Sequence, residues 1–295
     1  MGRGWWFVSS GDGEVRPASE GRISGLDHGY LYGSALYETL RTYHGRPFAL
    51  SRHLARLARG AAVLGLGDLP LREMEGALGR LAALRSPEES YLRLTVSPGE
   101  GPPAPFGPPH GRVRWTALGG PLPPHVAATY ERGVRCLLAS RPRWNPGGFI
   151  PAVKFCANVE LWIAKREAEE RGAFEALLRN PAGLLAEGAS SNVFLVKGKV
   201  LVTPDLASGI LDGVTRECLL RLAPRAGVPV EERPVRVEEI FEADEVFLAS
   251  TLKEVVPVVE VDGRPVGRGE PGMITDRLLG LFQEEALEAT SGGAP

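Results

Sequence analysis

Lys154 is the residue whose surroundings in the sequence best suit covalent chemistry. It follows the apolar pair Ala152-Val153 and precedes an amphipathic segment, which places it between a strand and a helix. A lysine flanked by apolar residues is partly desolvated, so a neutral amine becomes available to form an imine with a carbonyl compound. A surface lysine whose stem packs on apolar neighbours has the same pattern, and both interpretations stay open on these residues alone.

Two other segments carry groups that could bind a charged ring and a phosphate. Glu187 lies between two apolar runs, where an acid is either a solvated turn residue or a buried carboxylate with a cationic partner, such as a protonated ring nitrogen. In the run SGILDGVTRECLLRLA a helix is predicted to begin at Val214-Thr215, and its free N–H groups and dipole would suit a phosphate. An ordinary turn with Thr215 as the helix N-cap is the alternative.

The composition argues against several classes of function. The chain has 295 residues, 43% of them hydrophobic, which is enough for a substantial core. A formal charge of -2, with acids and bases interleaved, disfavours nucleic-acid binding. Three widely spaced cysteines without a CxxC pair predict neither a metal site nor a disulfide framework. The sequence has no signal-peptide pattern and no apolar run of membrane-spanning length, so a cytoplasmic protein without a membrane partner is expected.

Hydrophobic periodicity predicts the elements that must position the candidate residues. Alternation typical of strands is found at 37–43 and 91–97, among other segments, and the proline-rich residues 98–110 predict a loop. The predicted helices span 51–64, 70–85, 155–171, 215–226 and 274–290.

The order of these elements predicts an α+β protein with two domains and a ligand-binding cleft between them. A smaller N-terminal α+β domain is expected over 1–118 and a larger domain over 127–290. Frequent glycine and proline place the linker at 119–126, and a disordered tail is expected at 291–295.

Six motifs, found in one order along nearly the whole chain, resemble those of the fold type IV enzymes that use pyridoxal 5′-phosphate (PLP). This family of class IV aminotransferases includes branched-chain and D-amino-acid aminotransferases as well as aminodeoxychorismate lyase. The motifs are DHGYLYGSALYETLR at 27–41, HLARL at 53–57, the lysine-containing segment with AKRE at 154–167, EGASSNVF at 187–194, GILDGVTR at 209–216 and ADEVFLASTLKEVVPV at 243–258.

The resemblance implies a fold, a cofactor and partners. The fold would be like that of D-amino-acid aminotransferase, with a small N-terminal α/β domain and a larger PLP-binding C-terminal domain built on a barrel-like sheet. The cofactor would be pyridoxal 5′-phosphate, and the substrates an amino acid and a 2-oxo acid. The assembly would be a homodimer.

The resemblance also assigns roles toward the cofactor. Lys154 corresponds to the Schiff-base lysine, which moves a proton between the substrate α-carbon and cofactor C4′. Glu187 corresponds to the carboxylate that faces the pyridine nitrogen. Contacts to the cofactor phosphate are implied for Arg56, Val214, Thr215 and Thr251.

Substrate-binding roles follow in the same way. The turn Ser250-Thr251-Leu252 corresponds to one whose amides bind the substrate carboxylate in the aminotransferases. An extended strand would place Arg93 on the same face as Tyr91, and a structural ion pair is the alternative role for Arg93. His53 is expected to be structural. The implied pocket positions are Tyr32, Tyr37, Tyr91 and Arg93, of which Tyr32 could serve the neighbouring subunit.

Two enzymes of the family fit the motifs. An aminotransferase releases a 2-oxo acid, whereas aminodeoxychorismate lyase releases pyruvate and 4-aminobenzoate. The runs DHGYLYG, GILDGVTR and AKRE and the residue Thr39 resemble the lyases, while Ala249-Ser250-Thr251 and YLR at 91–93 resemble the aminotransferases. The sequence thus predicts an aminotransferase, with the lyase and a catalytically silent small-molecule-binding protein as the alternatives.

Overall fold

A computed structural model describes residues 4–103, 112–123, 127–143 and 153–291. The chain divides into two compact units. The predicted loop 98–110, linker 119–126 and tail 291–295 each lie partly outside the described residues. The first unit holds Met1–Pro123, Ala152–Ala157 and Ala286–Pro295, and the second holds Pro124–Pro151 and Asn158–Glu285.

The first unit is built on an antiparallel sheet of six strands, in the order β2-β1-β6-β5-β3-β4. Its elements are β1 (Trp6–Ser9), β2 (Arg16–Pro17), a short 3-10 helix (Ala18–Glu20), α1 (His28–Tyr32), β3 (Leu36–Tyr43), β4 (Arg46–Pro47), α2 (Leu50–Val63), α3 (Leu71–Ala83), β5 (Ser90–Ser97) and β6 (Arg114–Pro121).

Alternating burial explains how the sheet and helix α2 pack. In β3 the side chains of Leu36 and Leu40 are buried, and so is Glu38 between them. Helix α2 buries Leu54 and Leu57, whose spacing puts them on one helix face. One face of the sheet is therefore an apolar layer that also contains a carboxylate.

The elements predicted for the first unit at 37–43, 51–64, 70–85 and 91–97 are confirmed as β3, α2, α3 and β5. The start of the predicted linker is wrong, since residues 119–121 complete strand β6. Gly119 and Gly120 are needed there for close packing. An added Cβ at Gly120 would lie 2.4 Å from the Trp5 ring, and one at Gly119 would lie 3.0 Å from Leu81.

The second unit is a mixed sheet of nine strands that curls into a half-barrel. The strand order is β12-β11-β10-β13-β14-β7-β8-β9, with β15 paired to β14. Its elements are α4 (Ala127–Arg132), β7 (Val134–Leu138), α5 (Val159–Glu170), β8 (Glu175–Arg179), β9 (Leu185–Gly188), β10 (Asn192–Lys197), β11 (Val200–Thr203), a 3-10 helix (Leu206–Ser208), α6 (Val214–Arg225), β12 (Val230–Glu232), α7 (Glu239–Glu242), β13 (Glu245–Ser250), β14 (Glu254–Val261), β15 (Arg264–Pro265) and α8 (Met273–Ser291), whose residues from Ala286 onward belong to the first unit.

Strands β10, β13 and β14 form the centre of this sheet. Val193, Leu195, Val246, Leu248 and Val256 are buried in one core cluster, as the apolar sequence of these strands predicts. Within the described ranges, no helix is both long enough and apolar enough to cross a membrane.

The helices predicted at 215–226 and 274–290 are confirmed as α6 and α8. Two boundaries are corrected. Ser291, assigned to the tail, is the last residue of α8 and donates its hydroxyl to the Leu287 carbonyl at 2.6 Å. The helix predicted to begin at 155 begins at Val159, because the Cys156 N–H instead bonds to the Ala35 carbonyl at 2.8 Å.

Candidate active site

Lys154 lies in a short extended segment that pairs with the start of strand β3. Its carbonyl accepts the Tyr37 N–H at 3.0 Å, and Phe155 forms a bridge with Leu36. The Lys154 Nζ lies 4.9 Å from the centroid of the Tyr37 ring. The backbone of the lysine is therefore fixed by a rigid sheet, which is what a covalent anchor requires.

Glu38, His53 and Arg56 form a buried charge cluster close to this lysine. Arg56 donates from Nε to Glu38 Oε1 at 2.8 Å and from Nη2 to Oε2 at 2.6 Å, a bidentate pair. The His53 Nδ1 lies 2.7 Å from the same Oε2. His53 and Arg56 are three residues apart on helix α2, so they share the face that meets Glu38 on β3. Glu38 thus fixes the guanidinium of Arg56, and the phosphate role of Arg56 stays a prediction.

Burial and neighbouring charges shift the pKa values of this cluster. Burial raises the pKa of Glu38, but the charge and hydrogen bonds of Arg56 outweigh it and lower the pKa to about 2. Burial lowers the pKa of His53, the cations Arg56 and Lys154 add to that effect, and Glu38 opposes it. His53 is therefore a neutral partner within the cluster at neutral pH, which agrees with the structural role expected for it.

Tyr37, Arg93 and Cys156 form a second group on the first unit. The Arg93 guanidinium stacks over the Tyr37 ring, 3.8 Å from its centroid, and Nη2 lies 3.8 Å from the Cys156 Sγ. Burial raises the pKa of Tyr37 and Arg93 opposes it, so the phenol stays protonated at neutral pH. Among the described residues, no carboxylate forms an ion pair with Arg93.

The remaining candidate pocket residues of the first unit, Tyr91 and Tyr32, differ in burial and in the rings that they contact. Tyr91 and Arg93 both occupy the half-buried face of β5, and the Tyr91 ring meets the Trp5 ring edge-on at 5.5 Å. Tyr32 is the last residue of α1 and is partly exposed, with its ring edge-on to His28 at 5.1 Å. The structure brings Tyr37 and Arg93 together with Lys154 and does not bring Tyr32 into that group.

In the second unit, Glu187 lies near the end of strand β9 as a buried carboxylate. Its Oε2 accepts the Leu211 N–H at 2.8 Å and the Asn192 amide at 3.3 Å, while Oε1 accepts a close hydrogen bond from Arg143. Of the two interpretations offered by the sequence, the buried carboxylate with a cationic partner is the one found. Here that partner is Arg143, which also lies 3.7 Å from Glu160.

Asn192 joins Glu187 to the segment that leads into helix α6. Its Nδ2 donates to the Leu211 carbonyl at 2.9 Å as well as to Glu187. The N-cap of α6 is Gly213, and no side chain among the described residues caps the helix, so the alternative role of Thr215 as N-cap is wrong. Val214 and Thr215 are buried first-turn residues, at the positions whose N–H groups lack intrahelical partners.

Thr251 and Leu252 lie in the turn between β13 and β14, where Ser250 pairs with Glu254. Both are half-buried. No cluster of three or more potential metal ligands occurs in the described parts of the chain.

Three residues of these groups, Glu38, Arg143 and Asn192, were not predicted from the sequence. A signal for Glu38 existed, because a charged residue between Leu36 and Leu40 on a buried strand face requires a partner. Arg143 carried no such signal, because the glycine- and proline-rich sequence that follows it has no periodic pattern.

Comparison with known proteins agrees with this geometry. A family model described as amino-transferase class IV matches residues 35–261. The D-alanine aminotransferase of Bacillus licheniformis is 34% identical over 292 residues, 95% of this chain and 97% of that protein.

Two solved structures extend the comparison to the fold. The crystal structure of Escherichia coli branched-chain amino acid aminotransferase has a TM-score of 0.89 at 27% identity, covering 98% of this chain and 96% of that one. The T.th. branched-chain amino acid aminotransferase, solved with pyridoxamine 5′-phosphate, has a TM-score of 0.87 at 27% identity and the same coverage. The fold type IV architecture and the prediction of an aminotransferase are thereby confirmed. The chain belongs to the class IV aminotransferase family.

Proposed function

We propose that this enzyme uses pyridoxal 5′-phosphate bound through Lys154 to move an amino group between an amino acid and a 2-oxo acid. The observation that carries the proposal is the network in which Asn192 holds both Glu187 and the Leu211 carbonyl, just before helix α6. This network supplies a carboxylate for a cationic ring nitrogen and a helix start for a phosphate within one rigid unit. The T.th. relative that contains the pyridoxamine form of the cofactor supports the same assignment.

The residues fit this cofactor chemically. Glu187 retains two neutral donors on Oε2, so its Oε1 can exchange one cationic partner for another without leaving the carboxylate unsupported. Val214 and Thr215 would bind the phosphate through first-turn amides, and Thr251 and the Arg56 guanidinium would add to that contact. When bound, PLP supplies an aldehyde that accepts the substrate amine and a ring that stabilises negative charge at the substrate α-carbon.

Lys154 performs the proton transfer in this proposal. Its amine would hold the cofactor and, once the substrate amine has replaced it, would be free to take the proton from the substrate α-carbon and return it. The Lys154 amine lies over the Tyr37 ring, 4.9 Å from its centroid. The rigid pairing of its backbone with β3 keeps the amine in position.

Arg93, Tyr37 and Tyr91 would form one wall of the substrate pocket. The stacked guanidinium of Arg93 is a ready partner for a carboxylate, and the two tyrosines provide apolar surface beside it. The amides of Thr251 and Leu252 would bind the α-carboxylate. Amino acids with acidic or apolar side chains are therefore the substrates to test.

A homodimer is also part of the proposal. Helix α1 and the residues before it expose several large apolar side chains, and patches of such side chains mark protein interfaces. Tyr32, which was predicted to contribute to a neighbouring subunit, is one of these side chains. The cytoplasmic location of the enzyme stays a prediction. The exposed residues are Ile23, Leu26, Tyr30, Leu31 and Tyr32.

Half-reaction spectroscopy tests the proposed activity. The purified chain, loaded with PLP, is mixed with single L- or D-amino acids, and we expect the absorbance of the lysine-bound cofactor to convert to that of the pyridoxamine form. Lys154→Ala should lose both signals, whereas Lys199→Ala, at an exposed lysine, should keep them. Pyruvate and 4-aminobenzoate released from aminodeoxychorismate, without any amino-acid half-reaction, would instead identify the lyase.

A further inference from the structure

Two charged residues stand where the turn after strand β13 meets β14, Lys253 in the turn and Glu254 at the start of the strand, and both are largely withdrawn from solvent. The Lys253 side chain is 11% exposed and Glu254 is 1% exposed. Charged residues in hairpin turns ordinarily face water, and burying them costs free energy unless specific partners compensate. Neither residue belongs to the cofactor or substrate positions described above.

Lys253 ties the turn to two other parts of the sheet. Its Nζ pairs closely with Glu175 on β8, a residue that is 0% exposed, and donates to the Ser190 Oγ at 2.7 Å. Ser190 in turn donates to the same Glu175 oxygen at 2.8 Å. Since Ser190 lies in the turn that follows Glu187, this cluster links the Thr251-Leu252 amides to the end of strand β9.

Glu254 fixes the turn where it joins strand β14. Its φ of 55° lies in the left-handed region, which a residue with a long side chain rarely adopts unless its surroundings enforce it. Its Oε2 accepts the Tyr130 hydroxyl at 2.6 Å and the Gln283 amide at 2.7 Å. Glu254 is therefore anchored to helices α4 and α8.

We propose that Lys253 and Glu254 are positioning residues, which together hold Thr251 and Leu252 in the conformation that presents their amides to the cofactor phosphate and the substrate carboxylate. Because the two anchors contact different elements, they restrict the conformational freedom that a three-residue turn would otherwise have. The inference rests on the proposed function for its ligands, but the rigidity of the turn is a property of the protein alone.

A paired substitution tests the Lys253 anchor. Lys253→Met alone leaves Glu175 buried without its cation and is expected to destabilise the fold, so the informative variant is Lys253→Met/Glu175→Met, which removes both charges. We expect this variant to melt near the wild-type temperature. Amide exchange at residues 250–254 should be about tenfold faster in the cofactor-free protein, as for the loss of one charge-assisted hydrogen bond. In the loaded enzyme KM for the amino donor should rise by a similar factor, with a smaller change in kcat.

The Glu254 anchor is tested by comparing a conservative substitution with a disruptive one. Glu254→Gln keeps an oxygen that can accept the Tyr130 hydroxyl and should leave exchange in the turn close to that of the wild type. Glu254→Gly relieves the positive φ but removes both anchoring bonds, so it should speed exchange about tenfold. Lys199→Met and Glu270→Gln, at exposed positions outside the turn and its partners, are the matched controls and should change neither exchange nor KM.

Wild-type exchange and KM in Lys253→Met/Glu175→Met and in Glu254→Gly would overturn the proposal, because the two anchors would then be structural only. The outcome can be separated from failure of the proposed function. If the wild-type chain bound no PLP, the proposed function would fail, yet unchanged exchange in the cofactor-free variants would still refute the anchors and faster exchange would still support them.

Discussion

Each of the two units contains a buried carboxylate, and the two carboxylates are stabilised by different kinds of partners. Glu38 depends on one cation, Arg56, which binds both of its oxygens, with His53 as a neutral third member. Glu187 receives two neutral donors on one oxygen and Arg143 on the other. The Arg143 side chain is 15% exposed, compared with 4% for Arg56.

This contrast indicates which carboxylate is free to change partners. Removing Arg56 would leave Glu38 with the neutral His53 in an apolar layer, so this pair is fixed as part of the fold. Glu187 would remain held by Asn192 and the Leu211 amide if its cation changed. A carboxylate that keeps two neutral hydrogen-bond donors can pair directly with a cationic group of a ligand. Glu38 can contribute to ligand binding only indirectly, by fixing the guanidinium of Arg56.

Arg56→Met should have the largest effect on stability. The buried Glu38 charge loses its bidentate cationic partner, so we expect the free energy of unfolding to fall by about 3–5 kcal/mol, measured by urea denaturation. Glu38→Gln/Arg56→Met, which removes both charges, should recover much of the loss. Arg72→Met, at an exposed arginine of α3, serves as the control. A loss as small as that of the control would contradict the assignment of this pair to the fold.

Glu187→Gln should show the opposite balance, with activity changed more than stability. The variant keeps its size and can still accept the bonds from Asn192 and Leu211, while Arg143 keeps Glu160 at 3.7 Å, so the free energy of unfolding should fall by only about 1 kcal/mol. Loss of a charged partner for the ring nitrogen should lower kcat/KM roughly ten- to hundredfold. Glu284→Gln is the control, at a position away from this site. If unfolding were affected as strongly as in Arg56→Met, Glu187 would be a structural residue.

Acid should act first on the cluster of the first unit. Burial lowers the pKa of folded His53 below its ordinary 6.5, so the unfolded chain binds the proton more readily and stability falls as the pH drops below that value. The lowered pKa of Glu38, about 2, removes further stability between about pH 4.5 and pH 2, in the same direction.

His53→Gln isolates the first of these contributions. Between pH 7 and pH 5 the wild-type chain should lose up to about 1.4 kcal/mol per pH unit more than the variant, measured by urea unfolding at several pH values. Parallel pH profiles for the two proteins would show that His53 is not the residue that titrates.

Local patterns predicted much of this molecule, and the reason is visible in particular elements. Leu54 and Leu57 at helical spacing were enough to place α2, and alternation was enough to place β3 and β5. Lys154 was found because a motif surrounds it. The start of α5 was misplaced because the hydrogen bond of the Cys156 amide with Ala35 is a long-range contact, and no periodicity within 155–171 reports it.

The partners of the two carboxylates also differ in whether the sequence could have predicted them. Glu38 on a buried strand face, with His53 and Arg56 three residues apart on a helix, could have been matched from the sequence. The contact of Arg143 with Glu187 joins residues 44 apart in the sequence, with α5 and β8 between them, and Asn192 contacts Leu211 beyond strand β11. Such contacts depend on the finished fold, so local sequence does not encode them.

Gly213→Ala makes the smallest change and tests the Asn192 link directly. The backbone at Gly213 has φ -74° and ψ 134°, which alanine adopts without strain, so only the added methyl group matters. That methyl group would lie 2.1 Å from the Asn192 Oδ1 and would push the amide away from Glu187 and the Leu211 carbonyl. We expect PLP affinity to fall about fivefold, as for the loss of about 1 kcal/mol of hydrogen bonding, measured by fluorescence titration.

Gly280→Ala is the matched control, because among the described residues no atom outside its chain neighbours and the adjacent helix backbone lies within 4 Å of its added Cβ, and alanine favours the helix there. The pH dependence of unfolding should remain that of the wild type in Gly213→Ala, since the Glu38 cluster is untouched. Unchanged PLP affinity in Gly213→Ala would mean that Asn192 does not couple the ring carboxylate to the phosphate-binding helix. Glu187 would then be no better suited to a ligand than Glu38, and the contrast between the two carboxylates would lose its functional meaning.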